Sequence, residues 1–346
     1  MRKLGSIQCI KEIKPIVGAD TICAYRINGW WVVDQIDKFS VGDFVIYLET
    51  DSWIPHELAP FLSKGKEPRE YNGIKGERLR TVKLRGQVSQ GLLLTICNDF
   101  TGSYVMLWDN RGEYSVTVTL VEGMDVTELL DIQKWEPEIS PQLAGQVRGV
   151  FPTNLIPKTD QERIQNCFDD IQARNDTTYE ISLKLDGTSC TIFRYEHELR
   201  VCSRNLELKV NDENKDNTLV AMALSLKDYI VDGFAYQGEV MGPGIQGNRE
   251  KLQKHELYVF NIYNIKEQMY LSPEVCREQC AKDNGLVHVP IINVVGNAPA
   301  SIDEGLEFAE GPSLNQPVRE GLVYKCNTSS FSFKTISNRF LLKEKD

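Results

Sequence analysis

Seven charged residues lie in, or directly beside, segments whose alternating apolar pattern reads as β-strand: Lys184, Asp186, Arg204, Glu239, Glu320, Lys325 and Lys334. Charges in such strands are costly to bury unless paired or used. One buried ion pair explains two of them. A cleft lined by lysines, an arginine and carboxylates explains the set. The chemistry that suits such a cleft is nucleotidyl transfer. A free lysine, with a pKa of about 10.4, is a poor nucleophile near neutrality. Neighbouring cations and partial desolvation lower that value. A divalent metal held by Asp186, Glu239 and Glu320 neutralises triphosphate charge and supports in-line attack. Lys334, Lys325 and Arg204 suit the phosphate oxygens of the transition state. Phe260, in Leu257-Tyr258-Val259-Phe260-Asn261-Ile262, suits stacking on a purine, although on its own it reads as core.

These residues need elements to hold them. Lys184-Leu185-Asp186-Gly187 stands between two alternating runs, Tyr179 to Leu183 and Cys190 to Tyr195. This predicts a hairpin with a tight Asp-Gly connection, the glycine supplying positive φ. Further strands are expected near 198–203, 234–241, 256–263, 286–294, 320–325 and 330–334. Helices are expected near 215–231 and from Ser272-Pro273-Glu274 onward. Thr159 and Glu162 make a capping box for a helix with Ile164, Cys167, Phe168 and Ile171 on one face. The chain ends in a short helix or tail. Residues 159–346 thus read as an α+β domain of antiparallel strands with flanking helices. Residues 1–130 read as a separate β-rich module, a small barrel of OB or similar type. Between them, 131–158 carries Pro137, Pro141, Pro152 and Pro157 with weak periodicity, and reads as a linker.

The length of 346 residues favours two domains. No apolar run is long enough to cross a bilayer, and Met1-Arg2-Lys3-Leu4-Gly5 lacks a signal-peptide core. An intracellular protein is expected, cytoplasmic by default with the nucleus open. The nine scattered cysteines give no disulfide framework; Cys276 and Cys280 lack a second pair to complete a zinc site. The formal charge of −10 argues against a protein that coats nucleic acid. It leaves room for a local basic surface, and Lys75, Arg78, Arg80, Lys83 and Arg85 are the candidate contact. Trp30, Trp31 and Trp53 either stack on bases or belong to the core.

The ordered set Lys-x-Asp-Gly, Ser203-Arg204-Asn205, Gly238-Glu239, Tyr258-Val259-Phe260-Asn261-Ile262, Glu320-Gly321-Leu322-Val323-Tyr324-Lys325 and Ser332-Phe333-Lys334 resembles the covalent nucleotidyltransferases: DNA ligases, RNA ligases and mRNA capping enzymes. Gly242-Pro243-Gly244-Ile245-Gln246-Gly247-Asn248 and the late Ile336-Ser337-Asn338-Arg339-Phe340 are most similar to the RNA ligase branch. A β-rich module placed first resembles ATP-dependent RNA ligases of family five, which carry an N-terminal OB-like domain. DNA ligases and capping enzymes have an OB domain after the last lysine motif, where this sequence has twelve residues after Lys334.

The resemblance implies that Lys184 forms lysyl-AMP from ATP and passes AMP to a 5′-phosphate, after which a 3′-hydroxyl seals a nick in an RNA-containing duplex. It implies that Asp186, Glu239 and Glu320 hold Mg²⁺ or Mn²⁺, that Phe260 stacks on the purine, and that Arg204, Lys325 and Lys334 contact the nucleotide. A monomer is expected. A DNA ligase, a capping-type guanylyltransferase and a non-catalytic nucleic-acid adaptor are the alternatives; the intact lysine and carboxylates count against the adaptor. Two positions depart from the RNA ligase pattern. Leu183 stands where several members have Glu, and Lys334-Thr335-Ile336 stands where many have two lysines spaced Lys-x-Lys.

Overall fold

The strand that ends in the lysine, Tyr179–Lys184, and the strand that follows, Thr188–Tyr195, do not pair with each other. The first lies in a five-stranded sheet between Gly321–Cys326 and Ile291–Gly296. The second lies in an eight-stranded sheet between Glu198–Cys202 and Phe234–Met241. The expected hairpin is therefore a crossover, and Leu185-Asp186-Gly187 carries the chain from one sheet to the other. Gly187 does not take positive φ. A Cβ on it would lie 2.4 Å from the Val240 carbonyl oxygen, so close approach, not turn geometry, demands glycine.

This computed structural model describes residues 3–96, 104–108, 115–119, 121–135, 145–282 and 285–343. The chain divides into two units, Met1–Glu138 and Ile139–Glu344. The second unit has both sheets. In the five-stranded one the order runs Glu162–Arg163, Ser332–Ile336, Gly321–Cys326, Tyr179–Lys184, Ile291–Gly296. Its apolar face buries Tyr179, Ile181, Leu183, Leu322, Tyr324 and Phe333 under helices Ile164–Gln172 and Ile302–Phe308. Tyr324 and Phe333 stack at 4.5 Å, as cross-strand aromatic neighbours do. The eight-stranded sheet buries Cys190, Ile192, Tyr236, Val240 and Val259 against helices Thr218–Leu226 and Pro273–Lys282. Asn217 caps the former helix through its side chain.

One local expectation fails. Thr159 and Glu162 do not cap a helix: Glu162–Arg163 pairs in parallel with Phe333–Lys334, and the helix begins at Ile164. A strand partner outcompetes a local cap here. Within 131–158, short strands are described near both ends. Gln133–Lys134 pairs with Ser52–Trp53 in the first, and Val147–Val150 pairs with Leu206–Leu208 in the second.

The first unit is built of short antiparallel strands. Phe44–Leu48 lies between Gly5–Cys9 and Leu92–Thr95, and Ile22–Ile27 turns through Asn28, at φ 50°, into Trp30–Gln35. Trp30 and Trp53 are buried core residues. Tyr104–Trp108 pairs with Ser115–Thr119; the expected turn between them lies outside the described residues. Among the described residues every cysteine except Cys9 is buried, and no helix is long and apolar enough to cross a membrane.

Candidate active site

Antiparallel partners share a face of a sheet, and side chains alternate along each strand. Register therefore fixes what the polar face of the five-stranded sheet carries. Lys184 pairs with Gly321, Ser182 with Val323, and Glu180 with Lys325. Val323 pairs with Lys334, and Lys334 with Arg163. Lys184, Lys325, Lys334 and Arg163 thus share one face, with the apolar core on the other. On the eight-stranded sheet the same rule places Glu239 beside Ser189 and Tyr258.

At one end of the first face, Lys184 Nζ lies 2.6 Å from Glu320 Oε1. Glu239 Oε1 accepts a hydrogen bond from the Gly187 amide at 3.1 Å. Asp186 Oδ2 pairs with Arg249 Nε at 3.2 Å. Burial pulls the Lys184 pKa down, but Glu320, Glu239 and Asp186 together outweigh it, and the pKa is raised. The lysine at rest is an ammonium. Glu239 is pushed up to about 7, chiefly by burial, with Glu320 and Asp186 adding to the effect and Lys184 and the Gly187 amide opposing it.

Elsewhere on this face, Asp160 joins two further candidates. Its Oδ1 is 3.3 Å from Lys334 Nζ, and its Oδ2 is 3.7 Å from Arg204 Nη2. A third cluster surrounds a cavity of about 160 Å³ lined by Asp160, Phe260, Tyr270, Cys276, Lys325 and Phe331. Lys325 Nζ donates to the Phe260 carbonyl and sits 5.7 Å from the Phe260 ring centroid. Burial lowers its pKa, against the pull of nearby Cys276 and Glu180. Phe260 owes its position to a bulge: Gln237 faces Asn261 and Gly238 faces Val259, which leaves Phe260 without a cross-strand partner. Its ring packs against the core of the five-stranded sheet.

The geometry has a counterpart among known proteins. A Naegleria gruberi RNA ligase, solved as a lysine-to-methionine mutant with AMP and Mn, superposes with a TM-score of 0.83 at 39% identity over 100% of each chain. The chain belongs to the RNA ligase family. The family model described as RNA ligase matches residues 177–343, and an OB-fold domain model matches 4–96. A lysine-to-alanine mutant of the Naegleria ligase with ATP and Mn matches at 38% identity, TM-score 0.80, covering 98% of each chain. The same ligase with PPi matches at 37%, TM-score 0.79, covering 99% of this chain and 98% of that one. No curated protein matches the chain.

In this RNA ligase unit the donor set suits a divalent cation. Glu320 Oε2 is buried with no hydrogen-bond partner among the described residues. That orphaned oxygen is one a cation would satisfy. Among the described residues no three His, Cys, Asp or Glu side chains are gathered closely enough to cage an ion by themselves. Mg²⁺ and Mn²⁺ keep waters and take further oxygens from phosphate.

Some ligase-unit residues at these sites escape a reading of the sequence. Asp160 and Arg163 lie in what looked like a helix start. Arg249 follows directly on the glycine-rich 242–248 segment, which is its only signal, and it is fixed by stacking 4.4 Å from Phe340. Buried Glu180 pairs with Arg277.

The basic residues of the OB-fold unit divide into two kinds. Lys75 pairs with Glu67 at 3.0 Å, and Arg78 pairs with Asp51 at 2.7 Å while lying 4.1 Å from the Trp135 ring. Arg80 is half-buried. Lys83 and Arg85 stand exposed on the hairpin of Val82–Leu84 and Gln87–Ser89. Trp31, which is half-buried, is flanked by Lys14 and Arg26.

Proposed function

We propose that this chain is an ATP-dependent RNA ligase that works through a lysyl-AMP intermediate and seals 3′-OH/5′-phosphate nicks in RNA-containing duplexes. The observation that carries the reading is Lys184 at a strand end within a group of three carboxylates, in a chain that matches an AMP- and Mn-bound RNA ligase along its whole length. The proposed chemistry has three steps. Lys184 Nζ, once deprotonated, attacks the α-phosphorus of ATP; the bond to the β-phosphate breaks and pyrophosphate leaves. A 5′-phosphate oxygen then attacks the same phosphorus, the P–N bond breaks, and Lys184 is released. Finally a 3′-hydroxyl attacks the activated 5′-phosphate and AMP departs.

In this reading Asp186, Glu239 and Glu320 would hold Mg²⁺ or Mn²⁺, directly or through water. The ion would neutralise triphosphate charge and loosen the carboxylates' hold on the Lys184 ammonium. Arg204, Lys325 and Lys334 would meet phosphate oxygens, and Phe260 the base. Lys334 shares its sheet face with Arg163, so the second lysine missing from the last motif has a cationic neighbour already in place. The OB-fold unit would bind the nucleic acid.

The test is incubation with α-labelled ATP and Mg²⁺ or Mn²⁺, followed by a denaturing gel. Label on the wild type and none on Lys184→Ala is expected. An unlabelled wild type, or a labelled variant, refutes the covalent mechanism. Sealing assays on nicked duplexes with an RNA or a DNA 3′-hydroxyl then separate RNA from DNA joining.

A further inference from the structure

We propose that Asp160 is a phosphate placeholder: its carboxylate holds Arg204 and Lys334 while the nucleotide is away and competes with the nucleotide's phosphates for them. The inference rests on the ligase reading above. Residues 157–163 form a strap between the two sheets. The Pro157 carbonyl accepts from Gln237 Nε2 at 2.9 Å, and Lys158 Nζ donates to Asn205 Oδ1 at 2.8 Å; both partners belong to the eight-stranded sheet or its loop. Five residues on, Glu162–Arg163 is a strand of the other sheet. Asp160 lies midway and spends one oxygen on each cation, Oδ1 toward Lys334 and Oδ2 toward Arg204.

One cation comes from a strand of the five-stranded sheet and the other from a loop of the eight-stranded one, and they would repel each other without an anion between them. A phosphate would offer them the same pair of oxygens. The Asp160 side chain is 41% exposed, so it has solvent to turn into when displaced, whereas Lys334 at 15% is confined. A carboxylate kept this close also works against the retention of ATP and pyrophosphate by like-charge repulsion. It keeps the cradle ordered in the empty site and weakens polyphosphate binding in the filled one.

The experiment measures equilibrium binding of ATP with Mn²⁺ to the full chain carrying Lys184→Ala, which cannot turn over. Adding Asp160→Asn is expected to tighten binding by about 2- to 5-fold, the range of one partly exposed charge pair. Asp160→Glu should keep the parent affinity. The Asn gain should vanish when Lys334→Ala or Arg204→Ala is also present. In the reactive enzyme, KM for ATP in self-labelling falls by a similar factor. A purely structural role would lower the melting temperature and leave KM alone. Unchanged or weaker ATP binding in Asp160→Asn overturns the placeholder, as does an equal gain in both alanine backgrounds. An unlabelled wild type refutes the ligase reading instead, so the two failures are distinct.

Discussion

Lys184 and Glu320 form an ion pair 2.6 Å long at the end of two antiparallel strands, with Lys184 directly opposite Gly321. The pair favours the protonated form of the proposed nucleophile. Its release has to be coupled to the arrival of the substrate.

The first prediction concerns that release. The Lys184 pKa is raised, so at neutral pH nearly all of the amine is protonated and the reactive fraction grows about tenfold per pH unit. Single-turnover self-labelling should therefore accelerate from about pH 6 toward about pH 9 before another step limits it. In Glu320→Gln the raising partner is gone and the acid limb of the profile moves to lower pH. The maximal rate falls, by roughly 10²-fold or more, because one of the three carboxylates proposed to hold the metal is lost. An acid limb that stays in place in Glu320→Gln would show that the ion pair does not set the lysine's protonation.

The second concerns stability. Glu239 rises from 4.5 to about 7 in the folded chain, mainly through burial. A raised folded pKa means that the group's contribution to stability is complete below about pH 4.5 and is lost as pH rises through about 7. Glu239→Gln removes that loss. At pH above 7, without nucleotide or metal, the variant should melt at a higher temperature than wild type, by at most about 3 kcal/mol in stability. The difference should shrink as pH falls toward 5. Self-labelling should be lost in the same variant, a stability gain at the expense of function. A variant less stable than wild type at high pH would refute the buried-charge account.

Strand identity and the charged residues were legible because the patterning survives in one sequence: Tyr179 to Lys184 displays apolar and polar residues in turn, and Gly321 to Lys325 is a short apolar run that ends in a charge. The crossover at Leu185-Asp186-Gly187 was not legible. Period-2 patterning states which face a residue takes but not which strand is its neighbour, and Asp-Gly is equally at home in a hairpin. Asp160 and Arg249 were hidden for a related reason. Each is defined by a partner far away in the chain, Lys334 and Asp186 respectively, and apart from the glycine-rich segment before Arg249 nothing local distinguishes them from solvated charges.

The third prediction follows from that crossover. Gly187→Ala adds no φ strain of its own, since φ is not positive, but places a methyl 2.4 Å from the Val240 carbonyl oxygen and 3.0 Å from Glu239 Cγ. The strands must part or the Asp186 segment must move. A destabilisation of about 1–3 kcal/mol is expected. Self-labelling should fall further than stability explains, because the Gly187 amide is the hydrogen-bond donor to Glu239. Wild-type labelling with an unchanged melting temperature would mean that the close approach is relieved at no cost.

The last prediction separates the two kinds of basic residue in the OB-fold unit. Lys75 and Arg78 already spend their charge on Glu67 and Asp51. Lys83 and Arg85 stand exposed on a two-stranded hairpin, and Arg85 takes φ 47° at its turn. If this hairpin meets the phosphate backbone, each charge removed reduces the slope of log affinity against log salt by about 1. The double variant Lys83→Ala/Arg85→Ala should bind a nicked RNA-containing duplex more weakly at low salt, with a slope shallower by about 2. It should seal that duplex poorly yet label itself with ATP, since the first step needs no nucleic acid. Lys75→Ala should change the slope by much less, because that ammonium is paired with Glu67 and not with a phosphate. An unaltered slope in the double variant, measured as binding against salt concentration, would move the nucleic-acid surface away from this hairpin.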